Sequence, residues 1–227
     1  MTMDLRLHYA PDNASLCVRL ALEEARLPYR TVLVDRAARG QKHPSYLAIN
    51  PNGLIPTLET PQGPIFETGA ILLWISENSD GLMPDPGTDG RAAALKWLFW
   101  LANTLHPAEH VLFYPDQYID AHHEDLRART RSRIGAALSL LDAAPDAPWL
   151  DVRASILGCY LAPMLRWAAI YGGATDWYDL GQWPRLKTFA EVFETRASVA
   201  RVALAEGLGP TPFSNPILPN PPEGSAL

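Results

Sequence analysis

Two short segments carry residue types, at spacings, that could bind a small peptide ligand. The first is Asn50-Pro51-Asn52-Gly53-Leu54-Ile55-Pro56-Thr57-Leu58. A proline at the entry to a strand removes a ladder donor and so needs a reason. One reason is a cis Ile55–Pro56 bond, which turns the Ile55 N–H and C=O outward to pair with an extended peptide. The other is an ordinary trans proline on an edge strand, which frequency alone favours. The second segment, Glu67-Thr68-Gly69-Ala70, opens a helix. A hydroxyl and free amides at a helix N-terminus suit a carboxylate, and an adjacent Glu suits an ammonium. Together they fit an α-amino acid head group, against the plainer reading of a helix start with an acidic first turn.

The remaining reactive residue types carry less. Cys17 and Cys159 form no CxxC pair and no metal-ligand set, which excludes a disulfide scaffold and an autonomous dithiol motif. Cys17 sits one turn into an apolar helical stretch and reads as a buried small residue, not a nucleophile. His122-His123 are adjacent, without helical spacing or a carboxylate frame, so they read as a surface pair and no metal site is expected.

Short strands and helices must position these residues. Residues 5–9 alternate apolar and polar, as a half-buried strand does. Pro11-Asp12-Asn13 is a turn, and Ser15 can cap a helix running to Arg26. Residues 29–34 make a second strand, 54–58 a third interrupted by Pro56, and 65–66 a fourth after a Gln62-Gly63 turn. A helix over 67–77 follows. Two strands joined through a helix imply parallel pairing with a right-handed crossover, and the later hairpin adds antiparallel strands. Residues 78–90 are rich in Gly, Pro and Asp and read as a linker. Beyond them only helices are expected, over 91–105, 124–143, 155–171 with Pro163 inside, 184–195 and 198–205, the last closed by Gly207. Residues 210–227 form a Pro-rich extended tail. The expected units are 1–79, a linker 80–90, a helical unit 91–209 and the tail.

Composition bounds the function classes. The 227 residues are 48% hydrophobic and 19% charged, a globular balance able to bury a core. A net charge of −6 gives no electrostatic ground for a nucleic-acid or anionic-membrane partner. No signal segment opens the chain and no uncharged apolar run reaches about 20 residues. The expected setting is a reducing cytoplasm.

Read in order, the strand, the turn with Ser15 at a helix start, the Ile55-Pro56 pair, the Glu67-Thr68 helix and the all-helical remainder resemble the cytosolic glutathione transferases over residues 4–208. The run Tyr9-Ala10-Pro11-Asp12-Asn13-Ala14-Ser15-Leu16 is similar to the bacterial beta class, but the class's cysteine falls on Ala14. The resemblance implies an α/β thioredoxin-like N-terminal domain, an all-α C-terminal domain, and glutathione as co-substrate without a metal. It implies that Ile55, before Pro56, pairs with the cysteinyl backbone. Glu67 and Thr68 would hold the γ-glutamyl group. Lys42 would meet the glycyl carboxylate, unless it is a solvated surface lysine.

A thiol near pKa 8.5 needs a donor to become a thiolate at neutral pH. The resemblance offers Ser15 first, Asn13 second and Tyr9 third, with a simple N-cap as the alternative for Ser15. It also places Asn103 near the glutathione of a partner subunit in a homodimer, and His106 and Tyr114 by the acceptor pocket. Trp167 is either a further pocket wall or core. At Gly158 the family's capping-box carboxylate is missing, a matter of folding. The implied activity is transfer of glutathione to a small electrophile, as in detoxification. The rivals are a glutathione-dependent disulfide reductase or lyase of the same fold and a non-catalytic interaction protein.

Overall fold

Leu5, Leu7 and Tyr9 are buried while Arg6 and His8 face outward, and this alternation sets strand β1 (Leu5–Tyr9) at the middle of a mixed sheet. The computed structural model describes residues 4–147, 150 and 154–226. β2 (Tyr29–Leu33) runs parallel to β1 from the pair Leu5/Tyr29 to the pair Tyr9/Leu33. β3 (Thr57–Thr60) is antiparallel to β1, and β4 (Gly63–Phe66) is antiparallel to β3, giving the order β2-β1-β3-β4. The expected third strand thus starts later than Leu54. Pro56 has no N–H for the ladder, so pairing begins at Thr57.

Helix α1 (Ser15–Ala25) makes the crossover between β1 and β2. Its N-cap is Ala14, with no capping side chain. Ser15 is therefore the first helical residue, and the expected Ser15 cap is corrected. A short α2 (Pro44–Leu47) and α3 (Thr68–Glu77) complete the sheet domain, and α1 packs on α3.

Beyond α3 the described chain adds helices and no strand. α4 (Asp89–Trp100) does not run straight to residue 105 as the pattern predicts; it passes into a π-helical turn, Leu101–Leu105, and then α5 (His106–Phe113). Pro107 lacks the N–H that an α-helical ladder would need there, so the ladder changes register before restarting. α6 (His123–Asp142), α7 (Ile156–Ile170), α8 (Pro184–Phe193) and α9 (Ala197–Glu206) follow. Ser155 accepts the Gly158 N–H at 3.0 Å, so half of the capping box survives. A Cβ at Gly158 would approach Phe189 to 3.3 Å, which accounts for the glycine. Gly207 closes α9 at φ 65°.

One apolar core joins both halves, with α1 packed on α7 and Cys17 Sγ 3.8 Å from the Tyr160 carbonyl. Among the described residues the tail adds no helix or strand, but it is tied down. Glu194 accepts the Phe213 and Ser214 N–H groups at 3.1 and 3.0 Å, and Asn220 N–H bonds to the Gly207 carbonyl at 2.8 Å. Among the described residues no helix is long and apolar enough to cross a membrane.

Candidate functional site

The strand register brings three segments to one end of the sheet. His8 of β1 faces Thr57 of β3, and Thr57 faces Phe66 of β4. The turn after β1, the Ile55-Pro56 pair before β3 and the Glu67-Thr68 pair after β4 therefore leave the sheet side by side. These are the segments singled out by residue type.

The Ile55–Pro56 peptide is cis. Ile55 is half-buried, and among the described residues neither its N–H nor its C=O has a backbone partner. The turn before it is built by buried side chains. Asn50 Nδ2 donates to the Leu54 carbonyl at 2.8 Å, and the Tyr46 hydroxyl donates to the same carbonyl at 2.7 Å. Gly53 adopts φ 60°, and a Cβ there would come within 2.8 Å of Lys42 Nζ and of the Gln41 carbonyl. Lys42 is exposed and donates to the Asn52 carbonyl at 3.2 Å, so its ammonium lies against this turn.

Glu67 is exposed and holds φ 73° and ψ 115° at the N-cap of α3, without a cap bond of its own. A non-glycine residue there is strained, and such strain persists only where the surroundings impose it. Thr68 is buried, and among the described residues its hydroxyl makes no hydrogen bond. The π turn of the helical domain reaches the same place. A Cβ on Gly69 would meet the Ala102 Cβ at 3.6 Å, and the next residue, Asn103, is exposed.

At the start of α1 the two candidate donors differ. Ser15 is fully buried, with its hydroxyl donating to the Ala10 carbonyl at 3.0 Å and accepting the Ala10 N–H at 3.3 Å. Both hydrogen-bonding roles are spent on the backbone. Asn13 is half-buried, and its Oδ1 accepts the Ala14 N–H at 3.1 Å. That bond fixes the amide orientation and leaves the Nδ2 hydrogens as the available donor. The Tyr9 hydroxyl is bonded to the Glu223 carboxylate.

Above this end stand α5 and α7. His106 Nδ1 meets the Tyr160 hydroxyl at 3.0 Å, and its ring lies tilted over Trp167 at 5.9 Å. Burial, assisted by His110, lowers its pKa to about 4, so the imidazole is neutral at pH 7. The alternative of a solvated helix-end histidine is corrected: His106 opens α5 and is packed among aromatic rings. The Tyr114 hydroxyl accepts from Arg36 Nη2 at 3.1 Å, which links the sheet domain to α5. Arg36 also donates to the Ala226 carbonyl, so the tail is tied to the same guanidinium that bonds Tyr114. Cys17 is buried, and desolvation raises its pKa well above the thiol range. Trp167 is buried and donates to Asp12, which makes it a structural wall. Among the described residues no group of three His, Cys, Asp or Glu could hold a metal ion.

Sequence reasoning missed Asp12, Arg166 and Arg36. A signal existed for the first two. Asp12 belongs to a tight Pro-Asp-Asn turn, and Arg166 is the lone charge in the apolar run of α7, where an ion must be paired. Arg36 had no such signal, because its two partners come from distant segments.

The comparisons with known proteins agree with this geometry. Residues 3–77 match the family described as "Glutathione S-transferase, N-terminal domain". The chain is 30% identical to "Disulfide-bond oxidoreductase YfcG" of Escherichia coli (strain K12), over 89% of this chain and 96% of that protein. It is 30% identical to "Glutathione S-transferase GST-4.5" of Xanthomonas campestris pv. campestris, over 90% of this chain and 100% of that one. Among solved structures, a glutathione transferase homolog from Sulfitobacter with bound glutathione is 31% identical, with a TM-score of 0.76, over 89% of this chain and 97% of that chain.

Proposed function

The chain belongs to the glutathione S-transferase family, and we propose that it binds glutathione along the Ile55 edge and activates its thiol for attack on a small electrophilic acceptor. The observation that carries this reading is the free Asn13 amide donor at the start of α1, at the same sheet end as the unpaired Ile55 backbone. Ile55 pairs with the cysteinyl part, Glu67 takes the γ-glutamyl ammonium, and Thr68 with the α3 N-terminus takes its carboxylate. Lys42 faces the glycyl carboxylate. The donor to sulfur is Asn13, because the Ser15 hydroxyl is committed to Ala10. A hydrogen bond and the positive end of α1 favour the thiolate over the thiol.

The thiolate then attacks the acceptor carbon, the C–S bond forms, and the leaving group departs with the bonding pair. The acceptor cleft lies between Arg36, Tyr114 and His106. The working unit in this reading is a homodimer, with Asn103 close to the partner's glutathione. Two free buried thiols fit a reducing cytoplasm.

Disulfide reduction is the second reading, favoured by the similarity to the relative named a disulfide-bond oxidoreductase and by Asn13 at the turn, where Ala14 offers no thiol. Without a protein cysteine there, glutathione supplies both thiols. One thiolate displaces half of the acceptor disulfide, and a second glutathione resolves the mixed disulfide to oxidised glutathione and a thiol. Calorimetry with glutathione, followed by product analysis with an aryl halide and with a low-molecular-weight disulfide, tests both readings. A thioether supports conjugation and oxidised glutathione supports reduction. Absence of glutathione binding overturns both.

A further inference from the structure

The turn that carries Asn13 makes bonds within its own domain, Leu16 N–H to the Asn13 carbonyl at 2.7 Å among them, but the side chain of Asp12 is held from the helical domain. Asp12 lies at φ 49° and is 4% exposed. Its carboxylate accepts four hydrogen bonds, all from α7 or the residue closing it. Arg166 Nε reaches Oδ1 at 2.8 Å and Nη2 reaches Oδ2 at 2.9 Å, a bidentate pair with both partners buried. Trp167 Nε1 donates to Oδ1 at 2.8 Å, and the Tyr171 hydroxyl donates to Oδ2 at 2.7 Å. The Asp12 N–H bonds to Glu206 Oε2 of α9 at 2.8 Å, and Glu206 pairs with Arg19 of α1 at 3.2 Å. Arg166 spends its other donors on carbonyls, at Leu208 just after α9 and at Pro212 and Ile217 of the tail.

A turn needs no such apparatus to stay folded. A buried ion pair offers little net stability over apolar packing, so its geometric precision is what it adds. The residue immediately after this clamped, left-handed aspartate is Asn13. We propose that Asp12 is the positioning residue of the thiolate site: Arg166, Trp167 and Tyr171 fix its carboxylate, and through the turn they fix the Asn13 amide against the glutathione sulfur. This rests on Asn13 as the sulfur donor. It adds that the aim of that donor is set from the helical domain, the domain that also walls the acceptor cleft.

The test titrates the thiol of bound glutathione by its ultraviolet absorbance, with affinity by calorimetry and thermal unfolding alongside. Tyr171→Phe removes one bond to Asp12 and changes no charge. Its half-titration point should rise by about half a pH unit, with glutathione affinity within about twofold of wild type. Asp12→Asn removes a negative charge near the turn, which by charge alone lowers the titration; lost positioning raises it, by about one pH unit. In an Asn13→Ala background, Tyr171→Phe should add nothing, because the effect runs through Asn13.

If Asn13→Ala moves the titration while Tyr171→Phe and Asp12→Asn change only the melting temperature, Asp12 merely supports the fold and the proposal is overturned, with the Asn13 reading intact. A lowered titration in Asp12→Asn overturns it too, in favour of a plain charge effect. If Asn13→Ala itself moves nothing, the donor assignment fails and the proposal falls with it. Should Asp12→Asn not fold, Tyr171→Phe and its combination with Asn13→Ala decide alone.

Discussion

The hydroxyl of Tyr9, at the end of the central strand, is bonded to the carboxylate of Glu223, 214 residues away in the tail. The residue that the family resemblance offers as a third thiolate donor is thus a docking point for the chain's own last segment. Burial first, then Glu223, push its phenol pKa far above the usual range, so it stays protonated and bonded. Tyr9→Phe should leave the titration of bound glutathione in place and cost about 1 kcal/mol of stability through the loosened tail. Ultraviolet titration and urea unfolding of the variant check both halves. An upward move of the thiol pKa would return Tyr9 to the list of donors.

Ser15→Ala is expected to act on the fold alone. It strips a fully buried hydroxyl that satisfies both the N–H and the C=O of Ala10. Leaving those groups unpaired should cost about 1–3 kcal/mol. Equilibrium unfolding should show that loss, while the thiol titration matches wild type. A stable variant with a shifted titration would mean that the hydroxyl turns toward sulfur when glutathione binds.

The order of elements was legible because it rests on local signals. Alternation in Leu5–Tyr9, Gly207 after α9 and the Gln62-Gly63 turn each specify their own conformation. Ile55, Glu67 and Thr68 were legible for the same reason, since a proline at a strand entry and an acidic helix start are visible without partners. Ser15 against Asn13 was not legible. It depends on whether Ala10, five residues back, consumes the hydroxyl, and residue types do not state that. The break at Leu101–Leu105 was hidden by a continuous apolar pattern, although Pro107 held the cause. The path of the tail to Tyr9 and Arg36 joins residues at opposite ends of the chain, beyond any local rule.

Stability should depend on pH through Glu206. Its carboxyl is fully buried, and desolvation, opposed by Arg19, holds its pKa up to about 7, against 4.5 when exposed. Between those two values the folded state keeps a proton that the unfolded chain has lost. Stability therefore falls as pH rises from about 4.5 to 7 and levels off above, by up to about 3 kcal/mol from this group. Glu206→Gln keeps an acceptor for the Asp12 N–H and carries no proton to lose. Urea unfolding at pH 5 and pH 7.5 should show a smaller decline in the variant. Parallel declines would show that Glu206 ionises normally.

Assembly should depend on Phe99, which is 59% exposed on α4, two residues before the π turn that carries Asn103. In the homodimer proposed above, this ring is where α4 meets the partner. Light scattering at micromolar concentration is expected to report a dimer for the wild type and a shift toward monomer for Phe99→Asp, without loss of helical signal. A monomeric wild type would remove Asn103 from any intersubunit role.

Glu67 should separate stability from function. Its backbone sits at φ 73°, a conformation that costs a side-chain-bearing residue about 1–3 kcal/mol. Glycine adopts such a φ freely, at about 0.5–1 kcal/mol of extra entropy lost on folding. The two effects nearly offset or favour the variant, so Glu67→Gly should be as stable as wild type or more so. Glutathione binding should nevertheless weaken by about tenfold or more, because the carboxylate that pairs with the γ-glutamyl ammonium is gone, an interaction worth about 1.5–3 kcal/mol. Thermal unfolding without ligand and calorimetry with glutathione measure the two sides. A variant that gains stability and loses affinity identifies the strained conformation as the cost of holding the carboxylate in place. A variant that loses stability and keeps its affinity would mean that Glu67 serves the fold and that the ammonium is held elsewhere.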